Sequence, residues 1–428
     1  MKQVIITVNG PGEISAWLTP LSRAIKAASP ETRVLACLMP CVFSSGTERA
    51  AVERIGTVDA VAGISESFGL IFRKRFPPGF EPGAETLVLH LGGELVLSHL
   101  LARRIGAPAF AYVEHPAPIL KRFERVFYNG LNPMPERIGR RGTEPVGEMM
   151  VDAALAKLGV GGRAAREPKT VAIFAGSRDY MAGFLLPYFA EAADRIAAIR
   201  PDISFVLPKS DYIADAWYRD FPAPEANRDW RASAVTHHAG DGAEWFETSA
   251  GTRIEAVSNG EVLKRAAVAL TLPGTNTGEL GAAGIPMVTV VPTYRRCAEA
   301  VPLPGLAGHV TRIPLIGNEI KVFAAGLALK KKRILSIPSR RTGRTITPEL
   351  IGQNLHDAIC REVIALVDDA AEASARVREA MGPPGAAERL AGEILARLGT
   401  APEAAPPGLD TAARTAYSSG RRSRRMMP

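Results

Sequence analysis

The stretch AVALTLPGTNTGELGAAGIPMVTVV, residues 267–291, holds two apolar runs separated by a small polar turn and a short helical segment. Apolar runs of this length bounded by glycine and proline read as strands buried on both faces, as in parallel sheets. Gly274, Thr275, Asn276 and Thr277 make the turn, and Glu279 follows one helical turn in. Strand, polar turn, helix and strand in that order is the repeating unit of α/β proteins. The turn also places backbone N–H groups and hydroxyls at a helix N-terminus, where the dipole favours an anion. Two local readings stand side by side. In one the turn holds an anion and Glu279 accepts hydrogen bonds from a ribose diol; in the other Thr275 or Thr277 caps the helix and Glu279 meets its dipole.

Outward from this stretch the same unit recurs. KQVIITV (2–8), the helix WLTPLSRAIKAAS (17–29), RVLACLM (33–39), TLVLHLGG (86–93), the helix ELVLSHLLARRIG (94–106) and PAFAYV (108–113) form one cycle. A second runs through TVAIFAG (170–176), the helix GFLLPYFAEAADRIAAI (183–199), DISFVLP (202–208), IEAV (254–257), AVALTLP and MVTVV. Between them LGVGGRAAREPKT (158–170) is rich in Gly, Ala and Arg, which marks a linker over residues 155–170. The expectation is a Rossmann-like domain over 1–160, a second over 170–365, helices over 366–400 and a disordered basic tail over 401–428.

Composition agrees with two folded domains: 428 residues, 46% hydrophobic and 22% charged. MKQVIITVNGPGE passes from a five-residue apolar run straight into turn residues, unlike a signal peptide, so the expected location is the cytoplasm. Cys37, Cys41, Cys297 and Cys360 lack metal-type spacing and read as inert thiols; no metal or cofactor is expected. The formal charge of +8 suits an anionic partner, a nucleotide or an acidic membrane surface. No nucleic-acid module is recognisable, and nucleic acid is not expected as a partner.

Parallel α/β sheets bind ligands at the carboxyl ends of their strands. Two more motifs occupy such ends. NGPGEIS (9–15) follows the first strand, and its glycines suit either close approach to a ligand or a plain tight turn. FAGSRDY (174–180) closes the first strand of the second cycle, with Arg178 at a helix start, where it forks onto a phosphate or makes a surface ion pair.

Six segments in collinear order resemble the lipid-A-disaccharide synthase family, inverting glycosyltransferases of the two-domain GT-B fold. They are GEIS (12–15), PVGEMMVDA (145–153), FAGSR (174–178), RPDISFVLP (200–208), LPGTNTGELGAAGIPMV (272–288) and IPSRRTGRTITPELIG (337–352). The resemblance implies transfer of a sugar from a UDP-sugar, UDP-GlcNAc-like or an acylated derivative, to a lipid or glycolipid acceptor. It implies that Glu279 binds the ribose, that Gly274, Thr275, Asn276 and Thr277 hold the diphosphate, and that Arg178 neutralises charge on the leaving UDP. Gly12, Glu13, Ser15, Gly176 and Ser177 complete the nucleotide-sugar site on this reading.

The departures lie on the acceptor side. Ala16 and Trp17 stand where the family has Gly and Asp, Glu148 replaces a histidine, Ser339 replaces an asparagine, and the family's aspartate base is missing. Glu94 is the nearest carboxylate and the expected base, with Glu114 and His115 as other candidates. Such changes point to a divergent paralogue; a non-catalytic UDP-sugar-binding protein and a UDP-sugar epimerase of the same fold are the alternatives. In SFGLIFRKRFPPGF (67–80), Phe68, Phe72, Phe76 and Phe80 interleave with Arg73, Lys74 and Arg75, which suits peripheral attachment to the inner face of a membrane or, equally, a core stripe under a basic face.

Overall fold

The computed structural model describes residues 1–41, 46–135, 137–159, 167–210, 212–221, 232–240, 242–295, 297 and 334–400. The expected tail over 401–428 and the basic run 329–333 lie outside the described residues.

Two sheets organise the chain. The first contains β1 (Lys2–Val8), β2 (Arg33–Leu38), β3 (Ala60–Ala62), β4 (Glu85–His90), β5 (Ala109–Val113), β6 (Arg125–Tyr128) and β7 (Thr143–Pro145), all parallel, in the order 3-2-1-4-5-6-7. Ile5 of β1 lies opposite Leu35 on one side and Val88 on the other. Val4, Ile5, Ile6 and Val8 are all fully buried, as is Thr7, whose hydroxyl bonds Ser98 Oγ at 2.7 Å, which explains why this strand reads as a near-continuous apolar run and not as an alternation.

The second sheet contains β8 (Thr170–Phe174), β9 (Ser204–Lys209), β10 (Val235–Gly240), β11 (Ala243–Thr248), β12 (Arg253–Ser258), β13 (Val268–Thr271), β14 (Met287–Pro292) and β15 (Glu349–Gly352), in the order 10-11-12-9-8-13-14-15. Six of its strands are parallel, while β10 and β11 form an antiparallel hairpin added at the β12 edge. That hairpin was not among the expected strands. Its exposed side is held by stacking of His238 on Trp245, centroids 5.2 Å apart, with the Arg253 guanidinium 4.3 Å from the Trp245 ring centre.

Strand order reverses at β1 in the first sheet and at β8 in the second, so each has its crevice at the carboxyl end of its first strand. Two such doubly wound domains facing one cleft make the GT-B arrangement. The helices beyond β15 tie the halves together. His356–Asp368 packs on the helix Asp179–Ile199 of the second sheet, and Ala370–Met381 packs on the helix Thr275–Ala283. Ala386–Arg397 returns to the first sheet, where Leu390, Ile394 and Leu395 share a core with Val4, Ile6 and Leu21. Ion pairs Arg397–Glu124 (2.8 Å) and Arg125–Glu393 fasten it. Asp152 caps its start, accepting from the Gly385 and Ala387 amides at 2.6 and 2.8 Å.

Candidate functional site

A cleft of about 590 Å³ opens between the two sheets. Its lining draws Gly12 and Ser15 from the helical turns Pro11–Glu13 and Ile14–Leu18, which follow β1 where a glycine loop was expected, Gly176, Ser177 and Arg178 from the loop after β8, and Gly274, Thr275, Asn276 and Glu279 from the turn and helix after β13. Three motifs spread over more than 250 residues of sequence thus share one cavity. Three other expected site residues stand elsewhere. Glu13 packs against Gly10 and Gly92. Thr277 is fully buried beneath the turn, donating to the Gly274 carbonyl at 2.7 Å and accepting from the Ile337 amide at 3.0 Å. Glu94 is exposed at the N-cap of the helix Leu95–Ile105 and lines neither this cleft nor the recess beside it.

The turn after β13 is braced from within. Besides the Thr277 bonds, Asn276 Nδ2 donates to Thr271 Oγ1, so the backbone of 274–277 is fixed without using its outward face. No side chain caps the helix Thr275–Ala283; its Thr277 amide bonds back to the Gly274 carbonyl at 3.1 Å, and Gly274, Thr275 and Asn276 line the cleft. Glu279 is engaged from two sides: Lys157 Nζ forms an ion pair with Oε1, and Asn259 Nδ2 donates to Oε2 at 3.0 Å. Lys157 belongs to the helix Met149–Leu158, which packs across Thr275–Ala283. Gly278 permits that approach, since a Cβ there would come within 2.7 Å of Met150 Sδ.

The walls of the cleft touch. A Cβ on Gly12 would lie 3.1 Å from both Thr275 Oγ1 and Cγ2, so any larger residue there obliges the Thr275 side chain to shift for the first helical turn after β1 to stay against the β13 turn. Tyr212 Oη donates to the Pro11 carbonyl at 3.3 Å from the opposite domain. Arg178 is the N-cap residue of Asp179–Ile199 and lines the same cavity. Burial pushes the Glu13 carboxyl above its usual range, its own amide pulls it down, Glu114 pushes it further up and Arg178 pulls it back. Glu13 therefore stands electrostatically between a carboxylate of its own domain and the guanidinium across the cleft.

Beyond the turn lies a recess of about 260 Å³ lined by Glu114, Pro273, Gly274, Thr275, Ile334, Leu335, Ile337 and Arg340. It shares the turn with the main cleft and is otherwise lined by three apolar side chains and two charged ones, Glu114 and Arg340. Glu114 follows β5 and accepts from Asn129 Nδ2 at 3.3 Å. His115 is mostly exposed and does not line the recess. The same Asn129 nitrogen donates to Glu148 Oε2 at 2.8 Å. Glu148 is buried, accepts from Trp17 Nε1 at 3.3 Å and from the Met150 amide at 3.3 Å, and has Arg341 of the second domain 4.0 Å away. Burial raises its carboxyl to about 7; Arg341 pulls it down and Glu114 pushes it up. Trp17 and Glu148, two of the departures in the sequence, are thus partners, and Ser339 is a buried residue bonded to Ser336 Oγ at 2.8 Å.

Sequence reasoning missed Lys157, Asn259 and Tyr212. Asn259 had a signal, because SNG follows the strand IEAV as a polar turn before a helix. Lys157 had none, being one lysine on a helix whose facing partner is set by tertiary packing alone.

No protein-family model matches the chain. The chain is similar to a lipid-A-disaccharide synthase. That relative, from Geobacter sulfurreducens, is 26% identical over 258 residues, covering 58% of this chain and 53% of its own length. The similarity thus spans about half of the curated relative. Among solved structures, the glycotransferase of kitacinnamycin is 14% identical with a TM-score of 0.48, covering 92% of this chain and 98% of its own. UGT89C1 of Arabidopsis thaliana complexed with UDP is 12% identical with a TM-score of 0.47, covering 93% and 100%. UDP-GlcNAc 2-epimerase from Methanocaldococcus jannaschii is 11% identical with a TM-score of 0.38, covering 78% and 94%.

Proposed function

We propose that the chain is a glycosyltransferase that moves a sugar from a UDP-linked donor to a lipid or glycolipid acceptor with inversion at the anomeric carbon. The observation that carries this reading is the convergence of Arg178, Glu279, the turn residues Gly274, Thr275 and Asn276, and Gly12 in the first helical turn after β1 on one interdomain cleft. On this reading the diphosphate meets the backbone amides of Thr275 and Asn276, the ribose diol meets Glu279 and Asn259, and Arg178 faces the phosphate that leaves. An acceptor hydroxyl oxygen attacks the anomeric carbon as the bond to the diphosphate oxygen breaks. Its proton passes to a carboxylate, and UDP departs with the bonding electrons.

Two carboxylates compete for the proton. Glu114 is favoured over Glu94 by place: it faces the turn from the first domain inside a recess of its own, whereas Glu94 points into solvent. Inversion on this reading requires the acceptor hydroxyl to come from the recess on the face of the sugar opposite the diphosphate. The apolar members of the lining, Ile334, Leu335 and Ile337, set beside the charged Arg340 and Glu114, suit an acceptor with both an apolar and a polar part. Approach to a bilayer is supported by Phe72 (54% exposed) beside Arg73, Lys74 and Arg75, and by Val96 (49% exposed) on the neighbouring helix. Phe80 is instead core, at 3% exposure. Among the described residues no helix is long and apolar enough to cross a membrane.

Titration calorimetry with UDP, uridine, ADP and dTDP tests the reading. UDP is expected to bind most tightly, and incubation with UDP-N-acetylglucosamine alone is expected to return no epimer. Tighter binding of ADP or dTDP than of UDP would refute the donor, and a 2-epimer product would refute transfer.

A further inference from the structure

We infer that Lys157 is a second phosphate-directed cation, held in reserve by Glu279 until a nucleotide arrives. This deepens the reading of the cleft as a UDP site and rests on it. In the structure Glu279 is not an open acceptor: one carboxylate oxygen is paired with Lys157 and the other takes the Asn259 amide. Asn259 Oδ1, beside that pair, is buried with no hydrogen-bond partner among the described residues. The cluster therefore holds one acceptor without a donor and one carboxylate whose second partner is a cation on another helix.

A ribose diol brings two O–H donors and no charge. Docking on Glu279 and Asn259 Oδ1, it satisfies the orphaned acceptor and competes with Lys157 for the carboxylate. The ammonium is then released inside a cavity that both Lys157 and Arg178 line. Glu279 lies about one helical turn, roughly 5.4 Å, from the amides at the start of its helix. That separation is within the sweep of a lysine side chain anchored on the facing helix, so a diphosphate on those amides lies in reach of Nζ. The nucleoside half of the ligand breaks the ion pair and the diphosphate half takes up the freed charge. Lys157 thereby penalises a nucleoside and favours a nucleoside diphosphate, acting on specificity through Glu279.

The test compares UDP with uridine on the full chain by calorimetry, for the wild type, Lys157→Met and Lys157→Arg. With the ammonium removed, uridine is expected to bind equally or a few-fold more tightly, because its competitor is gone. UDP is expected to bind roughly tenfold more weakly, as for loss of one charge-assisted contact. The preference for UDP over uridine therefore falls by an order of magnitude or more in Lys157→Met and is kept in Lys157→Arg. A role confined to holding the helices together weakens both ligands in parallel, and that result, or no change in either, overturns the inference. Failure of the wild type to bind UDP at all is a separate outcome that overturns the nucleotide site itself.

Discussion

Replacing Glu148 with glutamine should remove one destabilising response of this protein to rising pH. The carboxyl is buried between Trp17, Asn129 and the Met150 amide, and burial raises it from 4.5 to about 7. In the unfolded chain it ionises near its ordinary value. Between these two limits the folded protein keeps a proton that the unfolded chain has lost, so unfolding gains with every step in pH. Stability associated with this group is fully present below pH 4.5 and is lost as pH rises through about 7. At 1.36 kcal/mol per pH unit, that interval corresponds to about 3 kcal/mol. Glutamine has nearly the same shape, resembles the protonated acid in its hydrogen-bonding groups and carries no titrating proton. Urea unfolding followed by tryptophan fluorescence, with Trp17 as a local reporter, should show the two proteins diverging in favour of Glu148→Gln by about 3 kcal/mol between pH 4.5 and pH 7.5. Other titrating groups are common to both chains and drop out of the difference. Parallel pH profiles, with a constant offset between the proteins, would refute the reasoning and mean that Glu148 stays in one ionisation state across that range.

Glu279→Gln should weaken UDP by about 1–3 kcal/mol in calorimetry, because hydrogen bonds to a charged acceptor are lost; an unchanged affinity with a lowered melting temperature would mean that the carboxylate serves only the helix pair. Arg178→Ala should lower turnover by roughly a hundredfold while UDP affinity changes much less, since charge on the leaving diphosphate grows as the bond breaks. Glu114→Gln should lower turnover by roughly a hundredfold or more with UDP affinity retained, and Glu94→Gln should leave turnover near wild type; the reverse pattern would return the base role to Glu94. Phe72→Ser should release the protein from liposomes containing acidic lipid without moving its melting temperature, because that ring is 54% exposed; co-sedimentation equal to wild type would sink the membrane surface.

The motifs that line the cleft were legible because each follows a buried strand, and strand ends in a parallel sheet converge on one side. Gly12, Arg178 and Glu279 could be found that way without any knowledge of packing. Their surroundings could not. Glu94 and Glu114 both sit at strand ends of the same sheet, and only the tertiary arrangement turns one into a recess and leaves the other on the surface. The β10–β11 hairpin was missed since VTHHAG has three half-buried and three exposed or edge positions and lacks the apolar run that marks the parallel strands. The Phe68–Phe80 stretch split along its length: its helix ends at Arg73, Lys74 takes the left-handed cap, and the chain beyond turns Phe80 inward.

The return of Ala386–Arg397 to the first sheet has a consequence for how the protein is made. β1 to β7 leave the ribosome by residue 145, yet the helix that completes their core, with Leu390, Ile394 and the Arg397–Glu124 pair, follows some 240 residues later. At about 5–20 residues per second that delay is on the order of 10–50 seconds. Throughout it, the groove on Leu21 and Ile25 stands uncovered while the second domain emerges and folds beside it. The N-terminal half is therefore the first to be synthesised and the last to be sealed, and a nascent chain arrested before residue 386 presents an apolar groove open to chaperones and to other nascent chains.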